Sequence, residues 1–185
     1  MGCCSYEAPN QTLTNAGDVP SDDPENAPVP QDDPLRGCAG CGSASRPVTR
    51  KTMMLMLKPD LFDLVGEGQY RFCTDPECRI VYFSESEGAL FTTDDLRVRV
   101  GLKEKQGPVP LCYCFGFYEG DAREEIARTG RTSIPQRISA LLKQGMCACP
   151  ARNPSGACCL GEVTKAVKRL MSEAANIARS DQELI

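Results

Sequence analysis

Apolar and polar positions along the chain follow two periods, and the change between them divides the molecule. In "RKTMMLMLKPDLFDLV" the apolar residues Met53, Met54, Met56, Leu57, Leu61 and Leu64 recur at helical spacing, which predicts a short helix interrupted near Pro59. Arg50, Lys51 and Lys58 mark the opposite, solvated face, so the methionines read as packing residues rather than as a soft-metal site. "QYRFC" and "RIVYFSE" then alternate with period two and are rich in β-branched and aromatic residues, which predicts two strands. "GALFTTDDL" adds a short strand and a helical turn capped at Thr92 or Thr93. "LRVRVGLKE" continues the alternation, with its arginines on a solvated face.

Beyond Cys114 the period becomes helical. "EGDAREEIARTG" predicts a helix ended by Gly130, and "TSIPQRISALLKQG" a second, with Thr132 or Ser133 as cap, Pro135 in the first turn and Gly145 as stop. After the loop "MCACPARNPSGACC" comes a last helix, with Val163, Val167, Leu170, Met171 and Ala174 on one side. The pattern is α+β: a β-rich part followed by a helical one, meeting near Gly107–Pro110. Before Gly37 no period is visible. Residues 7–36 hold six prolines and seven acids against the single base Arg36, and such a segment is expected to be disordered.

Composition changes this picture in two ways. Aromatics are only 6% of the 185 residues and Trp is absent, which is thin material for one large core, so small domains of this kind need staples. The twelve cysteines can supply them. "MGCCSYEAPN" offers no apolar signal segment, so the expected compartment is reducing and cytoplasmic, where closely paired cysteines read as metal ligands rather than disulfides. The start does not fit a myristoylation signal, because Tyr6 stands where Ser or Thr is wanted. Histidine is absent, which excludes Cys-His proteases, Ser-His-Asp hydrolases, His-ligated haem and Rieske-type centres. The formal charge is −4 overall and −6 over residues 7–36, leaving about +2 elsewhere; no basic stripe suits nucleic acid, and no uninterrupted apolar run is long enough to span a bilayer.

The cysteines fall into two sets, apart from Cys3 and Cys4. Cys38-x-x-Cys41 and Cys73-x4-Cys78 form two short knuckles, the usual way of presenting four thiolates to a structural zinc ion. Asp75 and Pro76 favour a turn in the second knuckle. Cys112 and Cys114 stand one residue apart; in an extended segment both would point to one side, towards a common iron. Cys147, Cys149, Cys158 and Cys159 lie behind them, six thiols for a [2Fe–2S] cluster that needs four.

"PLCYCFGF", two short helices, a Cys-rich loop and a helix together resemble the bacterioferritin-associated ferredoxin-like [2Fe–2S] domain. With "CAGCG", "YRFCTDPECRIVYF", "LRVRVGLKE" and "NPSGACCLGEV", residues 37–163 resemble the amino-terminal half of CopZ-type copper chaperones. With composition giving a disordered tail over 1–36, the resemblance implies a zinc-binding domain over 37–108 and a helical [2Fe–2S] domain over 109–180. It implies Cys38, Cys41, Cys73 and Cys78 as zinc ligands and Cys112, Cys114, Cys149 and Cys159 as cluster ligands, with Cys147 and Cys158 as rivals. In the archetypal chaperone a separate C-x-x-C copper domain follows; these 185 residues end instead in a single helix.

The expected function is a non-enzymatic metallochaperone handling Cu(I) or another soft metal such as mercury, with the cluster in electron transfer or metal reduction. Its partners would be metal ions and a metal-transporting ATPase or redox protein. The alternative is a [2Fe–2S] electron-transfer accessory of an oxidoreductase, without cargo metal.

Overall fold

The computed structural model describes residues 37–86 and 88–183; the acidic segment and Cys3/Cys4 lie outside them. The architecture is α+β, as the two periods imply. Strands β1 (Ser45–Val48), β2 (Tyr70–Cys73), β3 (Ile80–Ser84) and β4 (Leu90–Thr92) form an antiparallel sheet in the order β1-β2-β3-β4. Helix α1 (Arg50–Met56) and a 3-10 turn at Pro59–Leu64 connect β1 to β2. Pro59 stands at the start of that turn, where its missing N–H costs nothing. Met53, Met56 and Leu57 are fully covered in a core with Tyr70, Phe72, Val81, Tyr82 and Phe91, which settles the methionines as packing residues. Leu64 is the exception, at 61% exposed.

Two features of this part go beyond the sequence pattern. "LRVRVGLKE" forms no strand: beyond one bridge between Leu57 and Leu96 it runs unpaired into a 3-10 turn at Gly101–Lys103. Its alternation is nonetheless real, because Leu96 and Val100 are buried while Arg97 and Arg99 face solvent. Strand β1 went unread because "SRPV" is short and contains Pro47; it lies at the sheet edge, where a proline is tolerated.

The helical part opens with a hairpin, β5 (Pro110–Cys112) and β6 (Phe117–Tyr118), then α2 (Glu119–Thr129), α3 (Ile134–Lys143), α4 (Cys149–Arg152) and α5 (Leu160–Glu183). Gly130 ends α2 at φ 75°, the left-handed position that favours glycine. The N-terminus of α3 is capped at long range: Glu125 of α2 accepts the Ser133 N–H at 2.9 Å and the Thr132 hydroxyl at 2.7 Å, and Ser133 makes no side-chain cap of its own. Ile134, Ile138, Val163, Val167 and Leu170 form the second core with Leu111 and Ala122. Met171, expected on the buried side of α5, is 40% exposed. Across the surface of α2 and α5, Glu119 and Glu173 bind Arg123 and Arg169 in an ion-pair network. Among the described residues no helix is long and apolar enough to cross a membrane.

Candidate metal centres

The sheet register assembles the first set of thiols. Ser45 of β1 pairs with Cys73 at the end of β2, so the knuckle just before β1 lies beside that cysteine. Cys78 sits on the turn between β2 and β3. The four sulfurs of Cys38, Cys41, Cys73 and Cys78 all lie within 4.8 Å of one another. Cys38 and Cys78 are 4.0 Å apart, Cys41 and Cys73 3.7 Å. Phe83 and Ile80 form an apolar floor beneath them.

Backbone and side chains tie the two knuckles together. The Gly42 N–H donates to the Cys38 carbonyl at 2.8 Å, and the turn this closes carries Gly42 at φ 70°, so glycine is needed there. The Asp75 carboxylate accepts the Glu77 N–H at 2.8 Å, holding the second knuckle, and the Ser43 hydroxyl at 2.7 Å, joining it to the first. Lys103 closes the site from a distance, donating to the carbonyls of Asp75 at 2.7 Å and Cys78 at 3.0 Å. Hydrogen bonding with Ser43 pulls the Cys41 thiol down to about 7, while burial pushes those of Cys73 and Cys78 up. Neither Ser43 nor Lys103 belonged to the expected site. The spacing of cysteines gave no sign of them, though a Ser two residues after Cys41 and a Lys after the last alternating apolar residue were available signals.

The second set is held by loops and helix ends. Cys112 ends β5, but Cys114 lies in the turn that follows, so the extended geometry expected to aim both at one point does not exist. A thiol contact instead crosses between the pairs, with Cys114 and Cys149 3.7 Å apart. The Ala148 N–H donates to the Cys114 sulfur at 3.3 Å, and Arg152 donates to the Cys114 carbonyl at 3.2 Å. Cys149 is the first residue of α4, and Cys159 immediately precedes α5.

Cys112, Cys149 and Cys159 are buried, whereas Cys114, Cys147 and Cys158 are half-buried. Cys159 contacts both Cys112 and Cys149. These contacts draw Cys112 down to about 7 and Cys149 to about 5, while Cys159 is pushed up by the same two neighbours and by burial. Cys158 also approaches Cys149. Burial raises Cys114 to about 11. The loop carrying Cys149 and Cys159 turns at Asn153, a buried residue the motif reading passed over. Its side chain donates to the Ala157 carbonyl at 2.6 Å and accepts the Ser155 N–H at 3.1 Å. Among the described residues no disulfide forms, and only the first set brings three or more ligand atoms within 4.8 Å of one another.

Comparison with known proteins follows the same division. Residues 35–97 match the CopZ-type family described as a zinc binding domain. Over 122 residues the chain is 31% identical to the copper chaperone CopZ of Archaeoglobus fulgidus, an alignment covering 66% of this chain and 57% of that protein. The chain thus spans little more than half the length of this relative. The X-ray structure of the Archaeoglobus fulgidus CopZ N-terminal domain superimposes with a TM-score of 0.58 at 28% identity, covering 70% of this chain and 95% of that one. Residues 35–97 are thus similar to a CopZ-type zinc binding domain, and the chain is similar in sequence and fold to the amino-terminal part of a copper chaperone.

Proposed function

We propose that this chain is a non-enzymatic metallochaperone-like protein for soft metals, with a structural zinc ion in its sheet half and a [2Fe–2S] cluster in its helical half. The observation that carries the reading is the spacing of the first thiol set, whose four sulfurs all lie within 4.8 Å of one another. A zinc–sulfur length of about 2.3 Å gives a tetrahedral edge of roughly 3.8 Å. Separations of 4.0 and 3.7 Å in the first set fit that edge with little movement. Cys38, Cys41, Cys73 and Cys78 are therefore the proposed zinc ligands, in a domain spanning 37–108.

The second set, in which Cys114 lies 3.7 Å from Cys149 and Cys159 contacts both Cys112 and Cys149, suits a two-metal centre with two thiolates on each iron. Cys112, Cys114, Cys149 and Cys159 are the proposed ligands, in a domain spanning 109–180. Cys149 and Cys159 are favoured over Cys147 and Cys158 because they are the more deeply buried member of each pair. Bound there, a cluster supplies a one-electron couple. One electron from it would convert Cu(II) to the Cu(I) that thiolates hold, with re-reduction by an electron-donor protein. The low-lying thiols of Cys112 and Cys149 are ready to bind as thiolates near neutral pH. Cargo metal would pass to a metal-transporting ATPase.

Anaerobic purification with a visible spectrum and elemental analysis tests the reading. A red-brown protein with about two irons and one zinc per chain is expected. A protein that stays colourless after reconstitution with iron and sulfide overturns the cluster. A reversible cluster without tight Cu(I) binding would instead support an electron-transfer accessory role.

A further inference from the structure

Both ligand-bearing segments of the second thiol set are fastened to the zinc-binding half, each by a tyrosine hydroxyl. Tyr113 lies between Cys112 and Cys114. Its hydroxyl accepts the Gly101 N–H at 2.8 Å and donates to the Arg99 carbonyl at 3.0 Å. Gly101 in turn lies so close to β5 that a Cβ there would come within 2.0 Å of the Pro110 carbonyl oxygen. Two residues further on, Lys103 holds the backbone of the second zinc knuckle. Residues 99–103 therefore form a strap with the zinc site at one end and the Cys112–Cys114 turn at the other.

The second fastening holds the loop from Cys149 to Cys159. Tyr82, on β3 and fully buried, donates to the Pro154 carbonyl at 2.7 Å, and Thr52 of α1 donates to the Pro150 carbonyl at 2.8 Å. Pro154 itself is among the most deeply buried residues. Helix α1 and strand β3 thus hold this loop at its start and at its turn.

We propose that the hydroxyls of Tyr113 and Tyr82 are positioning groups for the second thiol centre, each fixing one of its two ligand-bearing segments against the zinc-binding half. The inference rests on the metal-centre reading above for its purpose, but not for its test. A buried thiol reacts with an alkylating reagent only when its segment opens, so alkylation reports the hold on each segment without iron.

The experiment uses the full chain, zinc-loaded and iron-free, with timed iodoacetamide labelling and mass-spectrometric mapping of each cysteine. Tyr113→Phe, which removes two hydrogen bonds, should speed labelling of the buried Cys112 roughly thirtyfold. Tyr82→Phe, which removes one, should speed labelling of Cys149 and Cys159 roughly fivefold. Tyr70→Phe is the control, since its hydroxyl accepts the Gly66 N–H at 2.9 Å within the sheet half; it should speed neither segment selectively. Where Tyr82→Phe does not fold, Thr52→Val reports on the same loop. In iron-reconstituted protein, Tyr113→Phe should alter the visible circular dichroism of the cluster and hasten iron release while zinc is retained. Unchanged labelling in both variants, or equal acceleration at all thiols in all three, overturns the proposal. Segment-selective labelling in a protein that never takes up iron upholds the positioning role and removes the cluster instead.

Discussion

The two thiol sets differ in what holds them: one is gathered where strand register brings two knuckles together, the other at turns and helix ends. The first is set by strand register: once β1 pairs with β2, the knuckle before β1 has nowhere to go but beside Cys73. Ladder hydrogen bonds fix such a position to within a fraction of a residue. The second is gathered from a hairpin turn, the start of a four-residue helix and the residue before a long one. Its geometry depends on side-chain fastenings such as Asn153 and the two tyrosines rather than on a ladder. Register brings the first set together and the Ser43, Asp75 and Lys103 side chains complete it, whereas the second set has no such register to start from.

The largest test of this contrast is Cys73→Ser. Zinc should be lost, and because metal binding supplies folding free energy, the sheet half should unfold with a loss of several kcal/mol. Cys114→Ser should abolish the cluster while leaving zinc content and far-UV circular dichroism unchanged. Retention of zinc by the first variant, or loss of it by the second, would break the division. Next in size is Ile138→Ala in the second core, fully buried, which should cost about 2–5 kcal/mol in urea unfolding. Iron release to a chelator should then outpace zinc release.

A smaller effect is expected from Lys103→Met, which removes both hydrogen bonds to the second knuckle at a cost of about 1–3 kcal/mol. Zinc transfer to a chromophoric chelator should accelerate, and a rate equal to the parent protein would show the knuckle to be self-sufficient. The smallest concerns pH. Hydrogen bonds from Thr132 and Ser133, with Arg137 nearby, hold the Glu125 carboxyl below the usual carboxylate value. A depressed folded value means that its stabilisation is complete above the unfolded value of about 4.3 and is lost as pH falls through the folded one. Below about pH 4 the midpoint of thermal unfolding should therefore drop more in the parent than in Glu125→Gln; parallel curves would count against this cap.

The fold was legible wherever side-chain period and local chemistry agreed. Pro59, Gly130 and Thr92 mark element ends because their backbone preferences act within a few residues. Val100 shows the limit: alternation reports burial, and burial alternates here without a partner strand. Met171 was misplaced because α5 turns its edge to solvent at that position. For the thiols, spacing grouped Cys38, Cys41, Cys73 and Cys78, which the sheet then gathers. It could not show that Cys114 lies in a turn, nor that Glu125 would cap another helix, since both depend on tertiary contacts.

Lys103 has one further consequence, for where this half of the molecule can be cut. The zinc-domain match stops at residue 97, and a fragment ending there would contain all four thiols and every strand of the sheet. It would lack Val100, which is buried in the core, and the ammonium that faces the second knuckle. Four thiolates around one zinc would carry a net charge of about −2, and that fragment would lack the ammonium bonded to the second knuckle's carbonyls. The smallest piece that keeps both this cation and a closed core therefore runs past Lys103.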